Sequence, residues 1–292
     1  RSFDGGTTWT RINAWGEYYE DVANKLHADI PEIEFIRKPD GTELVMVSTD
    51  GGSYISNDKL QSVKNISLKG LRTAQYYSTY THRENTQVIY AGAQDQGFQR
   101  STQLTDGVAD FEQTISGDYG HIVSSDGGRS LWTVYPGFAM RYPDAAGSTQ
   151  AHFWNFTGSN HFWIPPLMAD PYYPERVYLA GGTTTSGSHL WYLEDKAGGI
   201  SASEMSYDFS GGSGAWISSM GFSPINKDYR YVLNSKGKLY YSTDRGVNWT
   251  QSRTYGPGSH YFYGNALIPD TRDINTIYIG GSGYSGHAVW VS

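Results

Sequence analysis

Short apolar runs recur along the chain in pairs separated by a turn. Leu44–Val47 is followed by Ser53–Ser56, Val88–Gly92 by Gly97–Ser101, Leu131–Gly137 by Phe138–Tyr142, Arg176–Gly181 by His189–Leu193, Tyr229–Asn234 by Lys238–Ser242, and Thr276–Gly281 by His287–Ser292. Brief apolar runs bounded by Gly, Asn and Asp read as strands joined in hairpins. The pairs open at positions 44, 88, 131, 176, 229 and 276, a spacing near the roughly 40–50 residues of one four-stranded propeller blade. The pattern predicts an all-β chain, a β-propeller of four-stranded antiparallel blades with about six repeats present.

Turn chemistry supports this period. Gly221–Asn226, Met168–Pro174 and Leu267–Asp270 place Pro beside Asn or Asp ahead of a strand pair, as expected of hairpins between a blade's first and second strands. A second motif, Ser-x-Asp-x-Gly-x-x-Trp, stands at Ser2, Asp4, Gly6 and Trp9, and again at Ser242, Asp244, Gly246 and Trp249. Its Asp accepts backbone amides, its Gly supplies a positive φ, and its Trp packs between strands, so the box reads as structural. Echoes are expected at Ser56-Asn57-Asp58, Arg100-Ser101-Thr102 and Leu193-Glu194-Asp195, whereas Asp50-Gly51-Gly52 and Asp126-Gly127-Gly128 read as plain hairpin turns. Ser292 falls where Ser2 falls in the repeat, leaving Thr10–Trp15 as an extra strand at the front. Either that strand completes the last blade or the chain, a single domain over residues 1–292, is a piece of a longer propeller. The second reading is preferred.

Composition narrows the class. The chain carries 35 Gly, 24 Tyr and 9 Trp with 17% charged residues, which suits turns and aromatic strands. With no cysteine, disulfides and thiolate metal sites are excluded. A net charge of −7 and the lack of basic runs disfavour nucleic acid and anionic membranes as partners. No run of about 18 apolar residues is present, so no membrane-inserted helix is expected.

Several segments resemble secreted, BNR-type Asp-box repeat propellers related to the sortilin-type propeller and common in Bacteroidetes. Gly92-Ala93-Gln94-Asp95-Gln96-Gly97-Phe98-Gln99-Arg100-Ser101 is similar to that family's G-x-QDNG-x-x-x-S segment, and His27-Ala28-Asp29 to its H-x-D-x-H entry to a blade. Gly70-Leu71-Arg72-Thr73-Ala74-Gln75-Tyr76-Tyr77, Ser116-Gly117-Asp118-Tyr119-Gly120 and Trp163-Ile164-Pro165-Pro166 follow in the same order. The resemblance implies the fold and a location outside the cell or on its surface. It also implies an incomplete His–Asp–His set, because Pro31 stands where the second His would be.

In a propeller, innermost strands line a channel and loops build the faces where ligands bind. The candidate contacts are therefore the polar residues that the repeat does not require: Gln75, Gln94, Asp95, Gln96, Asp118, His121 and Asp29. Asp95 is either a ligand or acid–base group or a turn residue satisfied by amides. Asp95, Asp118 and Asp29 are the candidate catalytic carboxylates, since a glycosidase needs two of them about 5–10 Å apart. His27 and Asp29 would share one face of a strand, yet no further ligand stands at convincing spacing, so neither a metal nor any cofactor is expected. Aromatic clusters at Trp154, His161–Trp163, Trp191-Tyr192 and His260–Tyr263 offer faces for sugar rings.

A sialidase is disfavoured, because Phe35-Ile36-Arg37-Lys38-Pro39 lacks the Arg-Ile-Pro order. The favoured function is an extracellular module binding polysaccharide or a cell-surface protein. The alternative is a glycoside hydrolase of the xyloglucanase or another BNR-repeat kind, using Asp residues at the channel mouth.

Overall fold

Alternation of side chains along the strands decides the architecture. The computed structural model describes residues 1–68, 74–105, 107–148, 150–156, 161–182, 188–254, 263–282 and 289–292. After a single helical turn, α1 (Glu17–Glu20), the first sheet runs β1 (Glu32–Arg37), β2 (Glu43–Thr49), β3 (Gly52–Ser56) and β4 (Lys64–Asn65). The second holds β5 (Tyr76–Thr81), β6 (Ile89–Ala93) and β7 (Gly97–Ser101). A small hairpin, β8 (Leu104–Thr105) with β9 (Val108–Ala109), follows before its fourth strand β10 (Glu112–Ile115). The third is β11 (Gly120–Val123), β12 (Leu131–Tyr135), β13 (Phe138–Tyr142) and β14 (His152–Asn155), and the fourth β15 (Leu167–Ala169), β16 (Arg176–Ala180), β17 (Leu190–Lys196) and β18 (Gly199–Glu204). The fifth is β19 (Ile217–Phe222), β20 (Arg230–Asn234), β21 (Lys238–Ser242) and β22 (Thr250–Thr254). A sixth sheet is three-stranded among the described residues: β23 (Tyr263–Pro269), β24 (Ile277–Ser282) and β25 (Val289–Val291).

All six expected strand pairs lie in these sheets, the last of them outside the described residues at His287 and Ala288. Contacts divide the chain into two compact units: residues 1–77, 91–100 and 111–119, and residues 78–90, 101–110 and 120–292. In the second unit, successive sheets meet face to face. Val177 and Leu179 of β16 point into a layer shared with Trp132 and Val134 of the third sheet, while Tyr178 and Ala180 point the other way, into a layer with Val232 and Tyr240 of the fifth. Tyr231, Leu233 and Leu239 then meet Leu267, Ile277 and Ile279 of the sixth. Burying both faces of a strand needs apolar residues at nearly every position, which is why the periodic runs were short and continuous. In the first unit, Val45, Val47 and Tyr54 pack with Leu26, Leu60 and Val63.

The Ser-x-Asp-x-Gly turn closes by one repeated set of hydrogen bonds. Ser242 Oγ donates to Asp244 Oδ1 and accepts the Gly246 amide, and the Asn248 amide donates to Asp244 Oδ1. The same bonds form at Ser2–Thr8, at Ser56–Ser62 and at Ser124–Ser130. Asp126 therefore belongs to such a turn and not to a plain hairpin. The hydrogen bonds need only Ser, Asp and two amides, so Leu131 in place of Trp does not prevent them. Each turn also holds two successive residues at positive φ: Gly5 and Gly6, Lys59 and Leu60, Gly127 and Gly128, Arg245 and Gly246.

Other expectations are corrected. At Arg100-Ser101-Thr102 no box closes: Ser101 Oγ donates to the Gln103 carbonyl, because no Asp follows. Leu193-Glu194-Asp195 continues straight through β17, with Asp195 turned into an ion pair. Thr10–Trp15 forms no strand; the Thr10 amide closes back on the Arg1 carbonyl. Trp249 is half-buried against Phe209 and Tyr207, but Trp9 is 74% exposed and lies over its own turn, with its indole N–H on the Gly6 carbonyl.

Candidate functional site

The Gly92–Gly97 segment carries the site because its glycines let a second strand end approach. A Cβ on Gly92 would collide with the Tyr119 carbonyl, and one on Gly97 with the Ile115 carbonyl. Freed of both, the 115–119 segment closes against the turn between β6 and β7. The Tyr119 amide donates to the Ala93 carbonyl at 3.1 Å, the Gly97 amide to Gly117 at 2.8 Å, and the Gly117 amide to Asp95 at 3.2 Å. This clamp fixes Asp95 at φ +55, in the left-handed region that Asp tolerates better than most residues. Its amide then points at Asp118 Oδ1, 3.3 Å away.

The Asp95 carboxylate turns inward. It is buried, and its Oδ1 lies 3.3 Å from His27 Nε2, off the line of a good hydrogen bond but close enough for an ion pair. His27 Nδ1 lies 2.8 Å from the Ala28 carbonyl. Both ring nitrogens thus face acceptors, which favours the doubly protonated ring. Burial opposes that charge, yet Asp95 and the Ala28 carbonyl outweigh it, and the His27 pKa rises above its usual value. Gly51 and the edge-on Tyr18 ring, at 4.6 Å, enclose the imidazole.

Asp118 faces outward by comparison. Half-buried, it accepts the Tyr77 hydroxyl at 3.4 Å; burial first, and the Asp95 charge second, push its carboxyl above the usual range. Burial and Asp118 together push the Tyr77 hydroxyl up to about 12. Gln94 sends its side-chain amide to Asp50 Oδ2 at 3.4 Å, and its main-chain amide donates to the Gln75 carbonyl at 2.9 Å. Gln96 contributes through its carbonyl, which accepts the side-chain amides of Gln99 and Gln113.

The first unit therefore brings together Gln75, Gln94, Asp95, Gln96 and Asp118. His27, Tyr77 and Asp50 join them, and of these His27 was weighed from sequence only as a metal ligand beside Asp29. That pairing fails: residues 27–29 form no strand, His27 is buried, and Asp29 is exposed at φ +56. Among the described residues no group of three or more His, Asp or Glu is placed to hold a metal. His121 lies in the second unit, at the head of β11 with φ +48, and burial lowers its pKa to about 4.

No family model matches the sequence, and no curated protein does. Solved structures do resemble the chain. The β-propeller domain of Cps50 (Swd1) from Myceliophteria thermophila is 11% identical with a TM-score of 0.54, over 72% of this chain and 63% of that one. The GH74 xyloglucanase from Xanthomonas campestris is 13% identical with a TM-score of 0.54, over 85% of this chain and 43% of that one. The fold is a β-propeller. At such identity the likeness shows the fold alone, and the chain spans less than two thirds of either relative.

The propeller's aromatic clusters divide by burial. Trp154, Phe156, His161 and Trp191 pack on one another beside the third and fourth sheets, and Tyr192 lies against the next layer, so they stiffen the sheets. Trp163 is exposed, while Phe162 meets Trp216 edge-on at 5.4 Å. In the fourth cluster His260, Tyr261 and Phe262 lie outside the described residues, as do Gly70–Thr73 of the Tyr76-Tyr77 segment. Beyond these, a cleft of about 290 Å³ opens in the second unit between innermost strands, lined by Val123, Met168, Met220, Phe222, Leu267 and Ile268 among others.

Proposed function

We propose that this propeller is an extracellular binding module of the BNR-repeat kind, with polysaccharide as its ligand. The contacting patch is Asp118, Tyr77, Gln94, Asp50 and Gln75. One observation carries the reading: the Asp95 carboxylate is committed to buried His27, so the patch presents the half-buried carboxyl of Asp118, the exposed carboxyl of Asp50 and a partly exposed tyrosine ring, with the Gln94 amide beside them. Such a set suits a sugar, whose hydroxyls pair with carboxylate and amide edges while its flat face lies on the ring. A protein partner is the weaker form of the same reading. That one propeller of similar fold is a xyloglucanase supports polysaccharide as the class.

A hydrolase is the second reading, favoured by the raised carboxyl of Asp118, which suits a general acid. Asp95 is then a poor second carboxylate, since binding it to substrate breaks the His27 pair. Glycan-array binding followed by reducing-sugar release separates the two. For a binding module, Asp118→Asn weakens sugar binding about tenfold, as for one lost charged hydrogen bond, and no sugar is released. Release by the wild type that Asp118→Asn abolishes, with affinity kept, would establish the hydrolase. Absence of any glycan ligand sinks both.

A further inference from the structure

Within the first unit, the strand ends that carry the Asp118 patch also carry an exposed tryptophan. Antiparallel strands alternate direction, so the entry to β1, the β2–β3 turn and the exit from β4 lie at one end of the first sheet, as the β6–β7 turn and the exit from β10 do in the second. Contacts join these ends: Gln94 reaches Asp50, and Asp95 faces His27. Neighbouring sheets of a propeller cover one another's faces and leave such loop ends for ligands. Trp15 stands in the segment that enters β1 and is 60% exposed. Two pins hold it there. The Asn13 side-chain amide accepts the Leu26 N–H and donates to the Leu26 carbonyl, both at 3.0 Å, and the Glu17 carboxylate accepts the Ala14 amide at 2.9 Å while pairing with Lys25 at 2.6 Å. The Trp15 ring meets Tyr19 edge to face at 5.2 Å, and the Tyr19 ring lies 6.5 Å from the His27 imidazole. One ring contact on a side chain this exposed leaves an indole face open.

We propose that Trp15 is a second sugar-stacking subsite beside the Asp118–Tyr77 patch, so that the site takes a segment of an uncharged linear polysaccharide and not a single sugar. The inference rests on the polysaccharide reading above and adds the length and charge of the ligand to it. Asp95 makes the two places continuous: its carboxylate faces His27, against which Tyr19 and then Trp15 are ranged, and its main-chain amide faces Asp118, which accepts the Tyr77 hydroxyl. A ring fixed by pins on both sides loses little freedom when a sugar lies on it, which is what makes tryptophan an economical contact. The other exposed tryptophan of this unit, Trp9, has its N–H on its own Gly6 carbonyl and needs no ligand to account for it. Charge sets the class of chain. Asp50 is exposed and Asp118 half-buried, and no Lys or Arg pairs with either among the described residues, so a uronate or sulfated polymer would meet repulsion that a neutral one does not.

Size-graded oligomers of β-glucan, mannan, chitin and polygalacturonate, titrated calorimetrically into the full chain, test this. Expected is an affinity for a neutral series that rises with oligomer length and then levels off. Trp15→Ala should lose about five- to tenfold on the long oligomers, as for one stacking contact, and nothing on the shortest oligomer that binds. Trp15→Phe should restore part of the loss, and Trp9→Ala should change no affinity. Because Trp15 is exposed, Trp15→Ala should melt with the wild type. The subsite is overturned, with the polysaccharide reading left standing, if affinity does not depend on length or if Trp15→Ala binds long oligomers as the wild type does. It is overturned too if Trp15→Ala melts far lower, which would make the ring a structural contact, or if the uronate series binds more tightly than every neutral one. Failure of all four series to bind would remove the polysaccharide reading and the subsite together.

Discussion

Nε2 of His27 lies 3.3 Å from Oδ1 of Asp95, and both side chains are buried. The pair makes folding pH-dependent with a definite sign. A histidine whose folded pKa exceeds its ordinary 6.5 binds its proton more tightly when folded. Its contribution is complete below 6.5 and is lost as the pH climbs through the raised value. Melting followed by circular dichroism across neutral pH should show the wild type weakening as pH rises, and His27→Gln should flatten that slope. An unchanged slope in the variant would assign the pH dependence to other groups.

The two box tryptophans separate motif from packing. Trp249 rests on Phe209 at 4.9 Å, edge to face, whereas Trp9 is largely exposed, with its indole N–H on the Gly6 carbonyl of its own turn. Full burial of an aromatic is worth about 3–5 kcal/mol on truncation, so half-buried Trp249→Ala should cost about 2 kcal/mol. Trp9→Ala should stay within about 0.5 kcal/mol. Calorimetry decides the matter; equal losses would mean that the turn, and not the neighbouring sheet, sets the cost.

What the sequence disclosed follows from the range of each interaction. Strand pairs and their period are local, and apolar runs such as Arg230–Asn234 announce them. The Gly92–Gly97 and Ser116–Gly120 segments were legible as motifs, and Gly92 and Gly97 explain why, since each permits a close approach of the 115–119 backbone that a side chain would block. The pairing of His27 with Asp95 was not legible, because nothing periodic links a coil after α1 to a turn in the second sheet. Asp195 was misread for a related reason: its position in the repeat suits a box, and only the fold shows Arg141 and His152 converging on it.

That convergence carries a prediction. Asp195 is 4% exposed on its side chain and lies 2.6 Å from Arg141 Nη1 and 2.8 Å from His152 Nδ1, with Arg141 Nε directed at the Pro174 carbonyl. Removing one member of a buried pair strands the other, at about 3–5 kcal/mol. Asp195→Ala should therefore destabilise the propeller by that amount in urea, and the double variant Asp195→Ala, Arg141→Met should recover part of it. Failure of the second change to recover anything would show that the cost lies in the lost Asp195 contacts alone.

The last prediction concerns Lys59. In the four closed turns the third position after Ser holds Gly5, Lys59, Gly127 or Arg245, all at positive φ between 59 and 79. Arg245 gains from its ion pair with Asp228 at 2.7 Å and from the Tyr172 ring, which offset its backbone strain. Lys59 is exposed, and no ion pair to it is found among the described residues. An L-residue in the left-handed region costs about 1–2 kcal/mol, and the extra freedom of glycine in the unfolded chain returns about half of that. Lys59→Gly should therefore stabilise the first unit by about 0.5–1 kcal/mol. Leu60 beside it, at φ 64, must behave oppositely, because its side chain is buried with Val45 and Tyr54. Leu60→Gly relieves the same strain but loses a buried side chain worth about 2–5 kcal/mol, so the net effect is destabilising. Urea midpoints for the two variants should move in opposite directions. If Lys59→Gly lowers the midpoint, backbone strain is not what distinguishes this turn from its glycine-bearing counterparts.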